Sequence, residues 1–203
     1  MITTINKEIE SKFSLSRTGF KKVLSLGVEE STIEQTNVYY DSQWRLDKIG
    51  GTFRIRFSSE GSPLITLKLK KSQIEGVRVA DELEFPATNL LSGHESPKFS
   101  PQEISVSKDL PMDVAKRLLS YGITVLYQVG SMRNTRHVLR FAPLGKIELD
   151  CAHLPNNKVF YEAEIEDKDP DVRHQLGEII LRVTSGTKPS TISKFQRFRS
   201  AIR

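Results

Sequence analysis

The chain has 203 residues, 37% hydrophobic and 27% charged, enough for one sizeable core and read as a single domain over 1–203. Its opening residues, MITTINKEIESK, lack an apolar leader core, and no apolar run approaches the ~20 residues of a membrane span, so neither a secretory leader nor a membrane partner is expected. A net charge of +5 suits an anionic partner, and the single cysteine, Cys151, excludes an internal disulfide and fits a reducing, cytoplasmic setting.

An opening strand carries Glu8, Glu10 and Lys12 at two-residue spacing, which puts all three on one face. Ser16–Gly27 predicts a short helix with Ser16 as N-cap and Gly27 as stop. Strands are predicted at 37–41 (NVYYD), 53–58 (FRIRFS), 64–70 (LITLKLK) and 82–86 (ELEFP). Residues 87–108, polar and punctuated by Gly93, Pro97 and Pro101, read as a long surface loop. Pro111–Gly122 has the Pro-first, Gly-last signature of a helix. Strands follow at 133–141, 146–151 and 160–166, and Asp169-Pro170 opens a helix to about Ser185, ended by Gly186. The basic tail, KPSTISKFQRFRSAIR, ends in a short helix. The expected fold is α+β and mainly antiparallel β, an eight-stranded barrel with helices packed outside.

The charges on these strands follow a pattern of their own. Arg54 and Arg56 flank Ile55, Lys68 and Lys70 flank Leu69, and Glu82 and Glu84 flank Leu83. Glu148 and Asp150 flank Leu149, while Glu162, Glu164 and Glu166 alternate with Ala163 and Ile165. A wet outer face usually mixes polar residues and avoids like charges side by side. If the apolar set faces an outer helical layer, the charged set lines the interior. Arg and Lys rows match phosphate oxygens, and carboxylate rows match a hard divalent cation. A metal-polyphosphate complex satisfies both, although a salt-bridged outer face fits the same alternation.

In order along the chain, E-x-E-x-K (Glu8, Glu10, Lys12), NVYYDS, the R-x-R of FRIR, the LK of ITLKLK, the E-x-E of DELEF, a lone strand arginine, ELD, the E-x-E of YEAEIE and a terminal SKFQRFRS resemble the CYTH domain of the triphosphate tunnel metalloenzymes. The resemblance implies an eight-stranded antiparallel tunnel whose members hydrolyse inorganic triphosphate, thiamine triphosphate or nucleoside triphosphates, cyclise ATP, process RNA caps or make polyphosphate. Carried over by motif, it implies metal-binding Glu8, Glu10, Glu162 and Glu164, with Asp150, and Glu148 beside it, helping to place a second metal or the water. It implies catalytic and phosphate-binding roles for Lys12, Arg54, Arg56, Lys68, Arg136 and Lys194, and phosphate binding by Lys70. Arg133 competes with Arg136 for the lone strand arginine, and Glu82 and Glu84 are expected to organise neighbouring bases. Members specialised for thiamine triphosphate carry W-x-R-x-R; here Thr52 stands in the Trp position and Trp44 falls in a loop, which favours a ligand without an organic group, unless Phe53, Tyr39 or Tyr40 substitutes.

The expected reaction is metal-dependent hydrolysis of tripolyphosphate to pyrophosphate and phosphate, with Mg²⁺ or Mn²⁺ as cofactor and a lysine of depressed pKa or a carboxylate-held water as base. Alternatives are thiamine triphosphatase, nucleoside triphosphatase, a class IV-like adenylyl cyclase, or a non-catalytic polyphosphate-binding module. Like charges around an unfilled metal site also predict strain at Glu10 and Glu164. His94, His137, His153 and His174 lack zinc spacing, Gly50-Gly51 reads as a turn, and Cys151 reads as a core thiol with no histidine at useful spacing. A nucleic-acid arm at the tail would need exposed Phe195 and Phe198 and is not expected; the protein is read as a monomer or homodimer.

Overall fold

The computed structural model describes residues 4–74, 77–91 and 96–202; Gly93 and His94 lie outside them. In chain order the elements are β1 (Thr4–Leu15), α1 (Arg17–Leu24), β2 (Val28–Asp41), α2 (Arg45–Lys48), β3 (Gly51–Ser58), β4 (Leu64–Ile74), β5 (Val77–Pro86) and α3 (Thr88–Leu91). After a 3₁₀ turn at Pro97–Phe99 come β6 (Glu103–Ser105), α4 (Val106–Asp109), α5 (Met112–Ser120), β7 (Val125–Phe141), β8 (Gly145–His153), β9 (Val159–Glu166), α6 (Pro170–Val183) and α7 (Lys194–Ala201). The strands follow the order β2-β3-β4-β5-β1-β9-β8-β7-β6, and β2 also pairs with β7. That last pairing closes eight strands into the expected antiparallel barrel and leaves β6 appended outside it. Among the described residues no helix is long and apolar enough to cross a membrane.

The chain packs as two compact units, one of Met1–Lys7, Gln35–Lys71 and Ala80–Ser131, the other of Glu8–Glu34, Ser72–Val79 and Met132–Arg203. In the first, Tyr39 lies opposite Arg54 and Thr66 opposite Arg54 on the far side, so alternation carries Val38, Tyr40, Phe53, Ile55, Ile65 and Leu67 to the other face. There they meet Val106, Leu110, Val114 and Leu118 in one buried cluster. In the second, Phe13, Leu149, Ala163 and Ile165 pack with Phe20 and Val23 of α1 and Leu176 and Ile180 of α6. The predicted division of each strand into an apolar face under helices and a charged face opposite is therefore present in both units.

Local signals set the helix ends. Ser16 Oγ accepts the Gly19 amide at 3.0 Å to start α1, and Asp169 Oδ1 accepts the Asp171 amide at 2.8 Å to start α6, where Pro170 fills the first position. A capping box starts α7: Gln196 N donates to Ser193 Oγ at 3.1 Å and Ser193 N to Gln196 Oε1 at 2.8 Å. Gly122, just past α5, takes the left-handed φ of 70° that closes a helix most easily with glycine.

Two expectations need correction. Residues 87–108 are not simply a surface loop: Ile104 and Val106 are fully buried, and Ile104 pairs with Leu126 across β6 and β7. Three-residue and four-residue elements are too short to show a period. β2 and β7 also begin far earlier than 37 and 133. The first half of β2 is polar and largely exposed, and it pairs with β7 without an apolar alternation, with cross-strand polar contacts along it. Glu29 pairs with His137 at 2.8 Å, Lys146 with Glu30 at 2.6 Å, and Thr135 donates to Glu34 at 3.1 Å.

Candidate active site

In the second unit β1, β9, β8 and β7 lie side by side, and their registers bring the charged residues level. Lys12 faces Glu164, Glu148 faces Glu164, Asp150 faces Glu162, and Arg136 faces Asp150. The tail adds a fifth source of charge. Ser190 N donates to the Lys12 carbonyl at 2.7 Å, and Arg197 Nη2 donates to Ser14 Oγ and, at 3.1 Å, to Ser190 Oγ. With Phe195 and Phe198 buried beneath it, α7 presents Lys194 from its first position. Those buried rings remove the aromatic component that a nucleic-acid arm required.

Lys194 Nζ lies 2.7 Å from Asp150 Oδ2, 2.7 Å from Glu164 Oε1 and 3.1 Å from Glu162 Oε1. Lys12 Nζ bonds Glu164 Oε1 and stands 3.1 Å from Glu10 Oε2. Arg136 takes Asp150 with two nitrogens, Nε to Oδ1 at 2.9 Å and Nη2 to Oδ2 at 2.8 Å, and reaches Glu164 Oε2 at 2.7 Å and Glu148. Arg133 is exposed on the opposite face, so Arg136 is the arginine that joins the cluster. Glu8 is buried on the same face of β1 as Glu10.

Six carboxylates (Glu8, Glu10, Glu148, Asp150, Glu162, Glu164) thus share a face with four cations (Lys12, Arg136, Lys194, Arg197), and the excess negative charge is largely buried. Asp150, Glu162 and Glu164 each offer an oxygen within 4.8 Å of the others. Glu10 Oε1 has no hydrogen-bond partner among the described residues. Neither oxygen of Glu162 receives an aligned hydrogen bond, with Lys194 at 3.1 Å from Oε1 and Arg197 Nε at 4.0 Å from Oε2. Buried anionic oxygens with unused lone pairs are what a hard divalent cation requires, so the residues fit such an ion.

The electrostatics of the cluster divide its members. Burial alone would lower the Lys12 pKa, but Glu164, Glu10 and Glu162 outweigh it and hold the ammonium well above its ordinary value. Burial acts likewise on Lys194, where Asp150, Glu164 and Glu162 again prevail and raise the pKa. A depressed-pKa lysine is thus not what Lys12 or Lys194 supplies, a correction to the expected base. Burial would raise the Glu164 carboxyl, yet Lys12, Lys194 and Arg136 bring it well below its ordinary value. Asp150 falls to about 2 because Arg136 and Lys194 overcome its burial. For Glu162 burial wins, with the Glu164 charge adding to it against the pull of Lys194 and Lys12, and its pKa is raised. Three cations meet Glu164, one of the two carboxylates where strain was expected, whereas Glu10 Oε1 and both oxygens of Glu162 lack hydrogen-bond partners among the described residues.

In the first unit Arg54 is almost fully buried, its nearest carboxylate is Glu82 Oε1 at 3.9 Å, and its Nε has no hydrogen-bond partner among the described residues. Lys68 Nζ is 3.4 Å from the same Glu82 oxygen, and Arg56 Nε donates to Asn37 Oδ1 at 3.2 Å. Glu84 accepts from Thr66 at 2.9 Å, while Lys70 is exposed. Glu82 therefore does hold neighbouring bases. Four cations against two carboxylates leave this row positive, and a buried guanidinium with an idle donor suits an anionic oxygen. Thr52 lies opposite Lys68 on this face. Phe53 and Tyr40 belong to the apolar cluster instead, so of the three proposed aromatic substitutes only Tyr39, opposite Arg54, shares the charged face.

Sequence reasoning did not pick out Asn134, whose Nδ2 donates to Asp150 Oδ1 at 2.7 Å, or Arg197. The available signals were parity with Arg136 on β7 and i+3 spacing from Lys194 on α7. Cys151 also departs from expectation: it is only partly buried, and its Sγ lies 3.9 Å from His153 Nε2, two residues along the same strand face.

Residues 6–199 match the family model of the CYTH domain. Among solved structures, HpAC1 from Hippeastrum, described as an adenylyl cyclase candidate with a dominant triphosphatase activity, is 25% identical with a TM-score of 0.71, over 95% of each chain. An adenylate cyclase candidate from Bacillus halodurans is 20% identical with a TM-score of 0.67, over 95% of this chain and 98% of its own. Protein PH1819 from Pyrococcus horikoshii is 18% identical with a TM-score of 0.57, over 95% and 98%. The last two show the fold alone. No curated protein matches the sequence.

Proposed function

Because this chain belongs to the CYTH domain family, we propose that it is a divalent-metal-dependent triphosphatase that cleaves inorganic tripolyphosphate to pyrophosphate and phosphate. The observation that carries this reading is the surplus of buried anionic oxygens on one set of strands and of cationic donors on another. Glu8, Glu10, Asp150, Glu162 and Glu164 would hold Mg²⁺ or Mn²⁺, which would supply neutralisation of phosphate oxygens and an acidified water. Lys12, Arg54, Arg56, Lys68, Lys70, Arg136 and Lys194 grip the phosphates and stabilise the charge that grows on the departing pyrophosphate. Lys12 and Lys194, held as ammonium ions, act as fixed charges rather than as bases.

Thr52 in place of a tryptophan, together with Phe53 and Tyr40 in the apolar cluster, supports a substrate without an organic group over thiamine triphosphate or a nucleotide. A polyphosphate-binding module without catalysis would gain nothing from carboxylates beside its phosphates. The single cysteine supports a cytoplasmic setting, and the match over 6–199 supports one domain. Phosphate release from tripolyphosphate, thiamine triphosphate, ATP and longer chains, each with Mg²⁺ and with Mn²⁺, tests the reading. Fastest release from tripolyphosphate is expected. Tight binding of tripolyphosphate without release from any substrate would make the protein a binding module, and a preference for ATP with cyclic AMP formed would make it a cyclase.

A further inference from the structure

A second cavity of the second unit lies away from the charged cluster, against the face of β1 opposite to Lys12. Its volume of about 260 Å³ is just under the ~300–1,000 Å³ of sites for drug-sized ligands, so its occupant is small. Phe13, Val77, Leu181 and Pro189 give it apolar walls, and α6 lends it Arg173 and Glu178. Arg173 Nη1 donates to the Asp167 carbonyl at 2.6 Å, while its Nε is buried without a hydrogen-bond partner among the described residues. Neither Arg173 nor Glu178 takes part in an ion pair among the described residues, with each other or with a neighbour. A buried donor left idle calls for a partner that the chain does not supply. Opposite charges that share one cavity without meeting are complementary to a molecule that carries both.

We propose that this cavity is a regulatory site for a small α-amino acid with an apolar side chain, whose occupancy secures the tail that carries Lys194. Five positions of α6 separate Arg173 from Glu178, about 7.5 Å along the helix axis. An ammonium and a carboxylate on one carbon, with a hydrogen bond at either end, span about 8 Å. The guanidinium takes the carboxylate, Glu178 takes the ammonium, and the apolar walls take the side chain. The link to the tail runs through Pro189. It walls the cavity only because the chain after α6 docks on β1, where Phe13 bridges to Pro189 and Ser190 N donates to the Lys12 carbonyl at 2.7 Å. A few residues further on, α7 begins with Lys194, which reaches Asp150, Glu162 and Glu164. A ligand that touches Pro189 binds the docked tail better than an undocked one, and by linkage its binding favours docking. The proposal rests on the triphosphatase reading above only insofar as Lys12 and Lys194 meet the phosphates.

The test titrates the full chain calorimetrically with L-valine, L-leucine and L-phenylalanine, and with isocaproate and isoamylamine, which are leucine without its amine and without its carboxylate. Saturable binding of at least one amino acid is expected, with isocaproate and isoamylamine at least about 10-fold weaker than leucine, the cost of one lost charge-assisted hydrogen bond. Arg173→Met and Glu178→Gln are each expected to weaken leucine by a similar factor and to leave turnover without amino acid unchanged. Arg173→Lys, which keeps a charge but not the planar fork, serves as second variant should the neutral side chain prevent folding. Hydrogen exchange of the Ser190 amide is expected to slow by roughly 5-fold or more at saturating leucine, a typical coupling between sites. No saturable binding of any of the three amino acids would overturn the site. Isocaproate binding as tightly as leucine, or leucine binding untouched by Glu178→Gln, would overturn the zwitterion, and unchanged Ser190 exchange would overturn the coupling to the tail. If the parent protein hydrolyses no triphosphate, the triphosphatase reading fails, and the titrations and the Ser190 exchange still decide the role of the cavity.

Discussion

Glu164→Gln and Glu162→Gln remove the same charge from neighbouring positions of β9, and in the metal-stripped protein they are expected to change stability in opposite directions. Glu164 accepts from Lys12, Lys194 and Arg136, and its carboxyl is held well below its ordinary pKa by those three cations against its burial. Each cation keeps another carboxylate after the change: Glu10 for Lys12, Asp150 for Lys194, Asp150 and Glu148 for Arg136. Removing one partner of a buried pair costs about 3–5 kcal/mol, and the retained partners put Glu164→Gln at the lower end, about 3 kcal/mol. For a chain of this length each kcal/mol moves Tm by about 2–4 °C, so a fall of roughly 6–12 °C is expected. Glu162 is the reverse case, because burial and the Glu164 charge raise its pKa above the ordinary value. Its ionised form is penalised at neutral pH, so Glu162→Gln is expected to raise Tm. Since the folded pKa is the higher one, the penalty is relieved as pH falls through it, and the advantage of Glu162→Gln over the parent should shrink between pH 7 and about 4.5. The assay is calorimetric melting in EDTA across that range. A Glu164→Gln variant as stable as the parent, or a Glu162→Gln variant that falls with it, would refute the division of the cluster into paired and strained carboxylates.

Other outcomes follow from the same residues. Arg54→Ala and Lys68→Ala are each expected to lower kcat for tripolyphosphate by about 10²–10³-fold, the cost of one well-placed oxyanion donor; steady-state kinetics showing KM alone rising would assign them to uniform binding. Below about pH 4 the metal-stripped protein is expected to lose the stability that Asp150 contributes: its folded pKa of about 2 lies under the ordinary value of 3.8, so the contribution is complete above about pH 4 and is lost toward pH 2. Acid melts of the parent and Asp150→Asn should therefore converge over that window. Turnover is expected to vanish in excess EDTA after metal stripping, and to fall when Ca²⁺ replaces Mg²⁺, whose octahedral demand a larger and looser ion does not meet. Phe198→Ala, which empties a fully buried site under α7, is expected to cost about 3–5 kcal/mol in denaturant melts.

The division of charge was legible in the chain itself. Two-residue alternation is covalent geometry, so Glu8, Glu10 and Lys12, or Arg54 and Arg56, had to share a strand face wherever those strands went. Helix ends were equally local: Ser16, Asp169-Pro170 and Gly122 act within a few residues of where they stand. The order of motifs also identified the family, and with it the closed barrel. Partnership was not legible, because register joins residues far apart; Lys12 and Glu164 are separated by 152 positions and lie opposite each other only once β1 and β9 pair. The early half of β2 escaped for the same reason, since it pairs with the distant β7 and carries polar side chains such as Glu29, beside His137, rather than an apolar stripe. Which carboxylate is satisfied and which is strained depends on how many donors converge on it in three dimensions. Glu162 and Glu164 look alike in YEAEIE, yet three cations meet Glu164 while burial prevails at Glu162, and no local pattern distinguishes them.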